Sequence, residues 1–248
     1  MSVMWNLWHG CDKYSEGCVN CYVYRGDARY GRDATVCAKT ADFYKPAAKD
    51  KNGCYKIQPG TLVFTCFSSD FFLDKADGWR GEAWQMIRSR PDLHFLFITK
   101  RILRFYECIP DDWKQGYENV TICCTVENQK RAEERLPFFA SLPIKYKEII
   151  CEPLLERIDL NGLISDKFYG VTAGGESGND ARICRYSWIL ALKESCKDTG
   201  ICFKFKQTGA RFEKDGTVYN IPRIKQHEQA RRAGIDSFPF QRKFEEYN

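Results

Sequence analysis

No apolar run in this 248-residue chain approaches the length needed to cross a bilayer; the longest lie near Leu62 to Phe67 and Leu93 to Ile98. The opening MSVMWNLWHG has no basic stretch ahead of an apolar one, so no secretory signal is expected. A cytoplasmic protein without a membrane partner is the expectation. Neither sign of charge dominates, since 38 Lys and Arg against 33 Asp and Glu leave a formal net charge of +5. That balance alone is only a weak mark of a nucleic-acid binder. The chain also lacks the second C-x2-C or H-x3-H half-site that zinc modules set against a first one. Cysteine is what it has in excess. Thirteen is a high and odd number, and in a chain with no export signal it points to reduced thiols used for packing, metal or catalysis, not a disulfide framework.

Hydrophobic residues at 44% and charged residues at 29% are ordinary for a globular chain. The length suits one domain over residues 1–248, with a basic C-terminal extension from about residue 208. Residues Val3 to His9 are aromatic and apolar enough for a short buried strand, and a helix is expected after Cys21. Residues 30–60 are broken by Pro46, Gly53, Pro59 and Gly60, which predicts a helix remnant and a long connection. Strand and helix then alternate. Strands are expected at Thr61 to Phe67, Leu93 to Ile98, Val120 to Val126, Tyr146 to Cys151, Tyr169 to Ala173 and Ile201 to Phe205. Helices are expected around Trp79 to Ile87, after Arg101, from Gln129 to Phe139 behind an Asn128 cap, and from Tyr186 to Lys197. This alternation implies right-handed βαβ units and predicts an α/β fold: a partial (β/α) TIM-like barrel of about six to seven parallel strands, short of the eight in a full barrel.

Cys11, Cys18 and Cys21 form a C-x6-C-x2-C loop flanked by Gly10 and Gly17. Three thiols at this spacing can surround one soft metal centre while the glycines let the backbone turn. Such a trio leaves one coordination position open. A tetrahedral zinc fills it with a fourth ligand or water, whereas an iron-sulfur cluster presents one iron to a small molecule. Polar residues recur at the carboxyl ends of the expected strands: Cys11, Asp70, Lys100, Glu127, Glu152, Glu176 and Gln207. Any one of them has an ordinary role open to it, such as a helix cap or an ion pair. Together they predict a ligand site at the barrel mouth. Cys66, Cys123, Cys124, Cys151 and Cys202 fall in apolar runs and are expected to pack as small hydrophobes.

The chain resembles the three-cysteine-motif family first described from phage proteins, which looks like a divergent branch of the radical S-adenosylmethionine superfamily. The resemblance rests on Trp5-Asn6, Gly10-Cys11, Gly17-Cys18-x-x-Cys21-Tyr22, Ser69-Asp70-Phe71-Phe72, Thr99-Lys100-Arg101, Val126-Glu127-Asn128-Gln129, Cys151-Glu152-Pro153-Leu154-Leu155, Gly174-Gly175-Glu176-Ser177-Gly178 and Phe205-Lys206-Gln207. It implies a radical enzyme in which Cys11, Cys18 and Cys21 hold a [4Fe-4S] cluster and S-adenosyl-L-methionine chelates the open iron. One electron, from a donor such as flavodoxin or ferredoxin, then yields a 5′-deoxyadenosyl radical that abstracts hydrogen from a substrate. The superfamily's usual spacing is C-x3-C-x2-C with an aromatic before the last cysteine; here the first gap is longer and Asn20 holds that place. Its Gly-Gly-Glu element follows the second strand, where this chain has Ser68, Ser69 and Asp70, while Gly174-Gly175-Glu176 follows a late strand. The resemblance therefore gives the methionine amino group to Ser69 and Asp70, and the ribose or carboxylate to Glu127 and Asn128. Glu152 and Glu176 face cofactor or substrate. Lys100 or Arg101 suits the cofactor carboxylate, since a zwitterionic sulfonium needs acceptors for its cations and a donor for its anion.

Two alternatives stay open on the sequence. The trio could hold structural zinc with His9, Cys37 or Cys54 as fourth ligand, or a cluster used only for stability or electron transfer. In a different class, Lys204, Lys206, Arg211, Lys214, Arg223, Lys225, Arg231 and Arg232 are interleaved with aromatics and either track phosphates or cover a solvated face. A radical enzyme acting on a nucleotide or nucleic acid would combine both features.

Overall fold

A computed structural model describes residues 1–197 and 199–237. In chain order the strands are β1 (Ser2–Trp5), β2 (Trp8–His9), β3 (Ala38–Lys39), β4 (Leu62–Thr65), β5 (His94–Thr99), β6 (Val120–Thr125), β7 (Tyr146–Cys151), β8 (Gly170–Gly174), β9 (Cys184–Arg185), β10 (Cys202–Gln207), β11 (Arg211–Lys214) and β12 (Thr217–Asn220). The α-helices are α1 (Tyr22–Ala28), α2 (Asp77–Ser89), α3 (Phe105–Cys108), α4 (Gln129–Ser141), α5 (Tyr186–Cys196) and α6 (Arg223–Arg232).

Seven strands pair side by side in the order β1-β4-β5-β6-β7-β8-β10, every pairing parallel. The sheet curls into a half-barrel flanked by helices, in line with the expected partial barrel. Parallel strands covered on a face by helices are apolar along their length, and β6, with all six residues buried, has that character. Alternate residues go to opposite faces. Phe95, Phe97, Ile122, Cys124, Ile149, Cys151, Val171 and Phe203 join the main core, while Leu96, Cys123 and Ile150 form a second cluster with Leu62, Phe64, Phe67 and Ile98. Trp84 of α2 anchors the helix side, with ring centroids 5.1 Å from Phe71, 5.9 Å from Phe97 and 5.3 Å from Trp113. Its indole N–H donates to the Cys108 carbonyl at 2.7 Å, so the buried donor is satisfied.

The structure differs from expectation at the start. Instead of one strand over Val3 to His9, β1 and β2 are separated at Asn6 and Leu7. Asn6 Oδ1 accepts the Ser68 amide at 3.1 Å and Thr40 takes the Leu7 carbonyl at 2.9 Å, which pulls the chain out of the sheet. β2 pairs with β3 instead. Between residues 30 and 60 the expected helix remnant is a single 3-10 turn, Lys45–Ala47. Of the thiols expected to pack, Cys66, Cys123, Cys124 and Cys151 are buried, but Cys202 is half-exposed. The basic extension forms the β11–β12 hairpin and α6; its residues 238–248, and with them the end of the expected domain, lie outside the described residues. No helix among the described residues is long and apolar enough to cross a membrane.

Candidate functional site

The carboxyl ends of the parallel strands open on one mouth, and the cysteine loop lies across it. Gly10 makes the turn into the loop at φ +95°, where a Cβ would stand 2.2 Å from the Val36 carbonyl oxygen; only glycine fits. The Cys11 amide then donates to Ala34 O at 2.8 Å, and the Tyr24 hydroxyl donates to Cys11 O at 2.5 Å. Glu16–Cys18 form a 3-10 turn, and Cys21 is the residue from which α1 starts. The three cysteines are half-exposed, in contrast to the fully buried thiols of the core.

The ends of β4, β5, β6 and β8 grip this loop. After β4 the chain passes through Cys66 in the left-handed region at φ +64°, a conformation that costs a non-glycine residue about 1 kcal/mol and turns the backbone back toward the loop. There Ser68 Oγ donates to Trp8 O at 2.9 Å and Ser69 Oγ to Gly10 O. Asp70 accepts four bonds, from the Phe72 amide, Thr99 Oγ1, the Lys100 amide and Arg101. Arg101 reaches onward, with Nη2 2.7 Å from Asp12 O and Nη1 3.6 Å from Cys11 Sγ. After β6, Glu127 is wholly buried; it accepts from Ser15 Oγ, from the Gly17 amide at 3.3 Å and from Arg135 at 2.9 Å. Arg131 of α4 clamps Glu16 with two nitrogens at 2.9 and 3.0 Å. After β8, Glu176 holds Asn20 at 3.0 Å and Arg182 at 2.6 Å, and Arg182 in turn donates to Glu16 O at 3.0 Å.

The positions expected from sequence are thus on one mouth, but most of their polar atoms already have partners within the chain. Asp70, Glu127 and Glu176, expected at cofactor or substrate, fasten the cysteine loop. Glu152 pairs with Lys206 at 2.6 Å and takes the Gln207 amide, tying β7 to β10. Asn128 is used within the chain: its side chain caps α4 through the Arg131 amide at 2.9 Å and also meets Glu16 of the loop. Asn128→Ala is accordingly expected to lower stability by about 1 kcal/mol, read by thermal unfolding. Gly174 and Gly175 allow β8 and the segment after β10 to touch, since a Cβ on Gly175 would lie 2.2 Å from Thr208 O. Lys100 packs its stem beneath Gly17, where a Cβ would stand 3.2 Å from Lys100 Cε. Arg131, Arg135, Arg182, Ser15 and Asn20 were not picked out from sequence. Arg135 and Arg182 had a signal in hindsight, eight and six residues after the acids they neutralise.

Electrostatics follow from this packing. Burial, then the Asp70 carboxylate and Cys18, push the Cys11 thiol up to about 12, while Arg101 pulls the other way. A soft metal centre bound there would displace the thiol proton to solvent. Burial would also raise Glu176, but hydrogen bonds from Arg182 and Asn20 outweigh it and hold the carboxyl below its ordinary value. Among the described residues, three of the four buried polar atoms without a hydrogen-bond partner are at the Glu127 corner: Thr125 Oγ1, Arg135 Nε and Arg135 Nη2. Of the residues expected as a fourth zinc ligand, Cys37 runs beside the loop, its Cα 3.0 Å from where a Cβ on Gly10 would stand, while the other two are otherwise placed. His9 Nε2 is held by both Asp27 oxygens at 2.9 and 2.8 Å, and Cys54 is exposed. No three His, Cys, Asp or Glu side chains among the described residues gather tightly enough for one metal ion.

The fold and site define a parallel half-barrel with a cysteine loop clasped over the mouth. By sequence the chain belongs to the family described as "Protein of unknown function (DUF5131)", whose model matches residues 1–238. No curated protein and no solved structure matches it.

Proposed function

We propose that the protein is a radical S-adenosylmethionine enzyme whose Cys11, Cys18 and Cys21 hold a [4Fe-4S] cluster. The observation that carries this reading is three half-exposed thiols on one loop at the carboxyl-end mouth of a parallel half-barrel, with Arg101 against Cys11. Three cysteines with no second C-x2-C or H-x3-H half-site are a donor set that a [4Fe-4S] cluster uses when one iron is left to a small molecule. When bound, the cluster supplies one electron to the sulfonium of S-adenosylmethionine and so releases a carbon radical.

The remaining chemistry belongs to the chain. Arg101 offsets thiolate charge beside Cys11 and fixes the loop through Asp12 O. Asp70 orients that guanidinium and the Lys100 amide together. Lys100, beneath Gly17, is the cation that suits a cofactor carboxylate, and Ser68 and Ser69 set the backbone carbonyls of Trp8 and Gly10 instead of meeting the cofactor directly. The apolar residues Phe64, Phe67, Leu96 and Ile98 furnish a dry wall that keeps a radical from being quenched. The electron comes from an external donor of the flavodoxin or ferredoxin type. Anaerobic incubation of the reconstituted protein with S-adenosylmethionine and dithionite should release 5′-deoxyadenosine, followed by mass spectrometry. No release with dithionite, titanium citrate or reduced flavodoxin would reject radical chemistry in favour of a structural or electron-transfer cluster.

A further inference from the structure

Beyond β10 the chain builds a second concavity, a cavity of about 610 Å³ between the β11–β12 hairpin, α5 and α6. Its floor is aromatic. Phe205 and Phe212 stack at 5.8 Å between centroids, and Tyr186 closes the group at 6.0 Å from Phe212. Tyr219 stands at the rim, half exposed, on the outer strand of the hairpin. Lys214, Lys225 and Arg232 line the cavity beside Asn220 and Gln229, and no carboxylate among the described residues does. Glu228, on the same helix, pairs with both Lys225 and Arg232, so one negative charge faces two positive ones. Lys214 lies 5.3 Å from the Tyr186 ring centroid as a cation over its face.

A floor of rings under a rim of cations matches one ligand chemistry: flat bases joined by phosphates. Rings accept any base by stacking, and lysine and arginine follow the backbone charge. The concavity also adjoins the mouth. Its wall residue Thr208 follows Gln207, whose amide grips Glu152, and His227 of α6 bonds to Lys206 O at 2.9 Å.

We infer that this concavity binds single-stranded nucleic acid, with a base against the half-exposed Tyr219 and the part-exposed Tyr186, backed by the buried Phe205 and Phe212, and phosphates on Lys214, Lys225 and Arg232. The binding is independent of the radical reading, because it requires neither cluster nor cofactor. The test is fluorescence anisotropy of the full-length protein as purified, without S-adenosylmethionine, against a labelled fifteen-nucleotide single strand of DNA or RNA and against ATP. The expected result is binding of the oligonucleotide that weakens as salt rises. Tyr219→Ala should weaken it about tenfold. Lys214→Glu should weaken it further and make the salt dependence shallower. Both positions are at the rim, and circular dichroism spectra matching the wild type establish that the variants are folded. Lys167→Glu, a surface charge outside the cavity lining, should change nothing. Absence of oligonucleotide binding, binding indifferent to Tyr219→Ala and Lys214→Glu, or binding of ATP alone would each overturn the inference. Loss of 5′-deoxyadenosine release with oligonucleotide binding intact would reject only the radical reading.

Discussion

Alanine at any one of Cys11, Cys18 or Cys21 is expected to strip the protein of iron and abolish release of 5′-deoxyadenosine. On the proposed reading each thiolate would hold a separate iron of the cluster, and the neighbouring His9 is already engaged by Asp27. Iron retained by each variant should fall to about a tenth of the wild-type value or below. The variants should nonetheless fold. Their thiols are half-exposed and fill no core space, so the change in stability should remain within about 1 kcal/mol. Cys54→Ala is the matched control and should keep full iron. Wild-type iron content in the Cys18→Ala and Cys21→Ala proteins would mean that the loop is not the ligand set.

Glu127→Ala should be the most destabilising change at the mouth, costing about 3–5 kcal/mol because it leaves Arg135 charged and unpaired in a site without water access. Both side chains of this pair are fully buried and 2.9 Å apart, and Arg135 also donates to Thr125 O at 2.7 Å. For a chain of this length the loss corresponds to a melting temperature lower by roughly 10 °C. Glu127→Leu combined with Arg135→Met removes both charges and should restore most of that stability. It should not restore the clasp, since Ser15 and the Gly17 amide still lack their acceptor. Proteolysis within residues 11–21 should therefore stay faster than in wild type even where the melting temperature recovers. A single-variant cost under about 1 kcal/mol, or a double variant whose loop resists protease as wild type does, would contradict the assigned role.

The barrel was legible in the sequence because β4, β5, β6 and β8 are short apolar runs, each followed by polar residues and further on by a helical segment. Those local signals survive folding with shifts of about a residue: Val120 to Val126 became Val120–Thr125, and Tyr169 to Ala173 became Gly170–Gly174. The mouth was legible for the same reason, since position at a strand end needs no knowledge of partners. What each acid does there was not. Asp70, Glu127 and Glu176 look like free ligands in sequence, yet their bonds run to Thr99, Ser15, Gly17 and Asn20, up to 156 residues away in the chain. Such pairings depend on where the curled sheet brings loops together, and no local pattern carries that. The break between β1 and β2 is hidden for a similar reason, as Asn6 leaves the sheet to meet Ser68.

This arrangement alters the account of the site. A cofactor lying in the mouth meets a prearranged loop whose geometry is set by Asp70, Arg101, Glu127, Arg131, Glu176 and Arg182 acting on backbone and side chains of residues 12–20. On the proposed reading the acids position the loop, the thiols would hold the cluster, and Lys100, packed against Gly17, is the cation for a cofactor carboxylate.

The most direct test of the central claim is iron, sulfide and zinc analysis of the full-length protein purified and reconstituted without oxygen. The account predicts a brown protein with about four irons and four sulfides per chain, bleached on reduction in the presence of S-adenosylmethionine. A colourless protein that carries stoichiometric zinc and takes up no iron on reconstitution would contradict it.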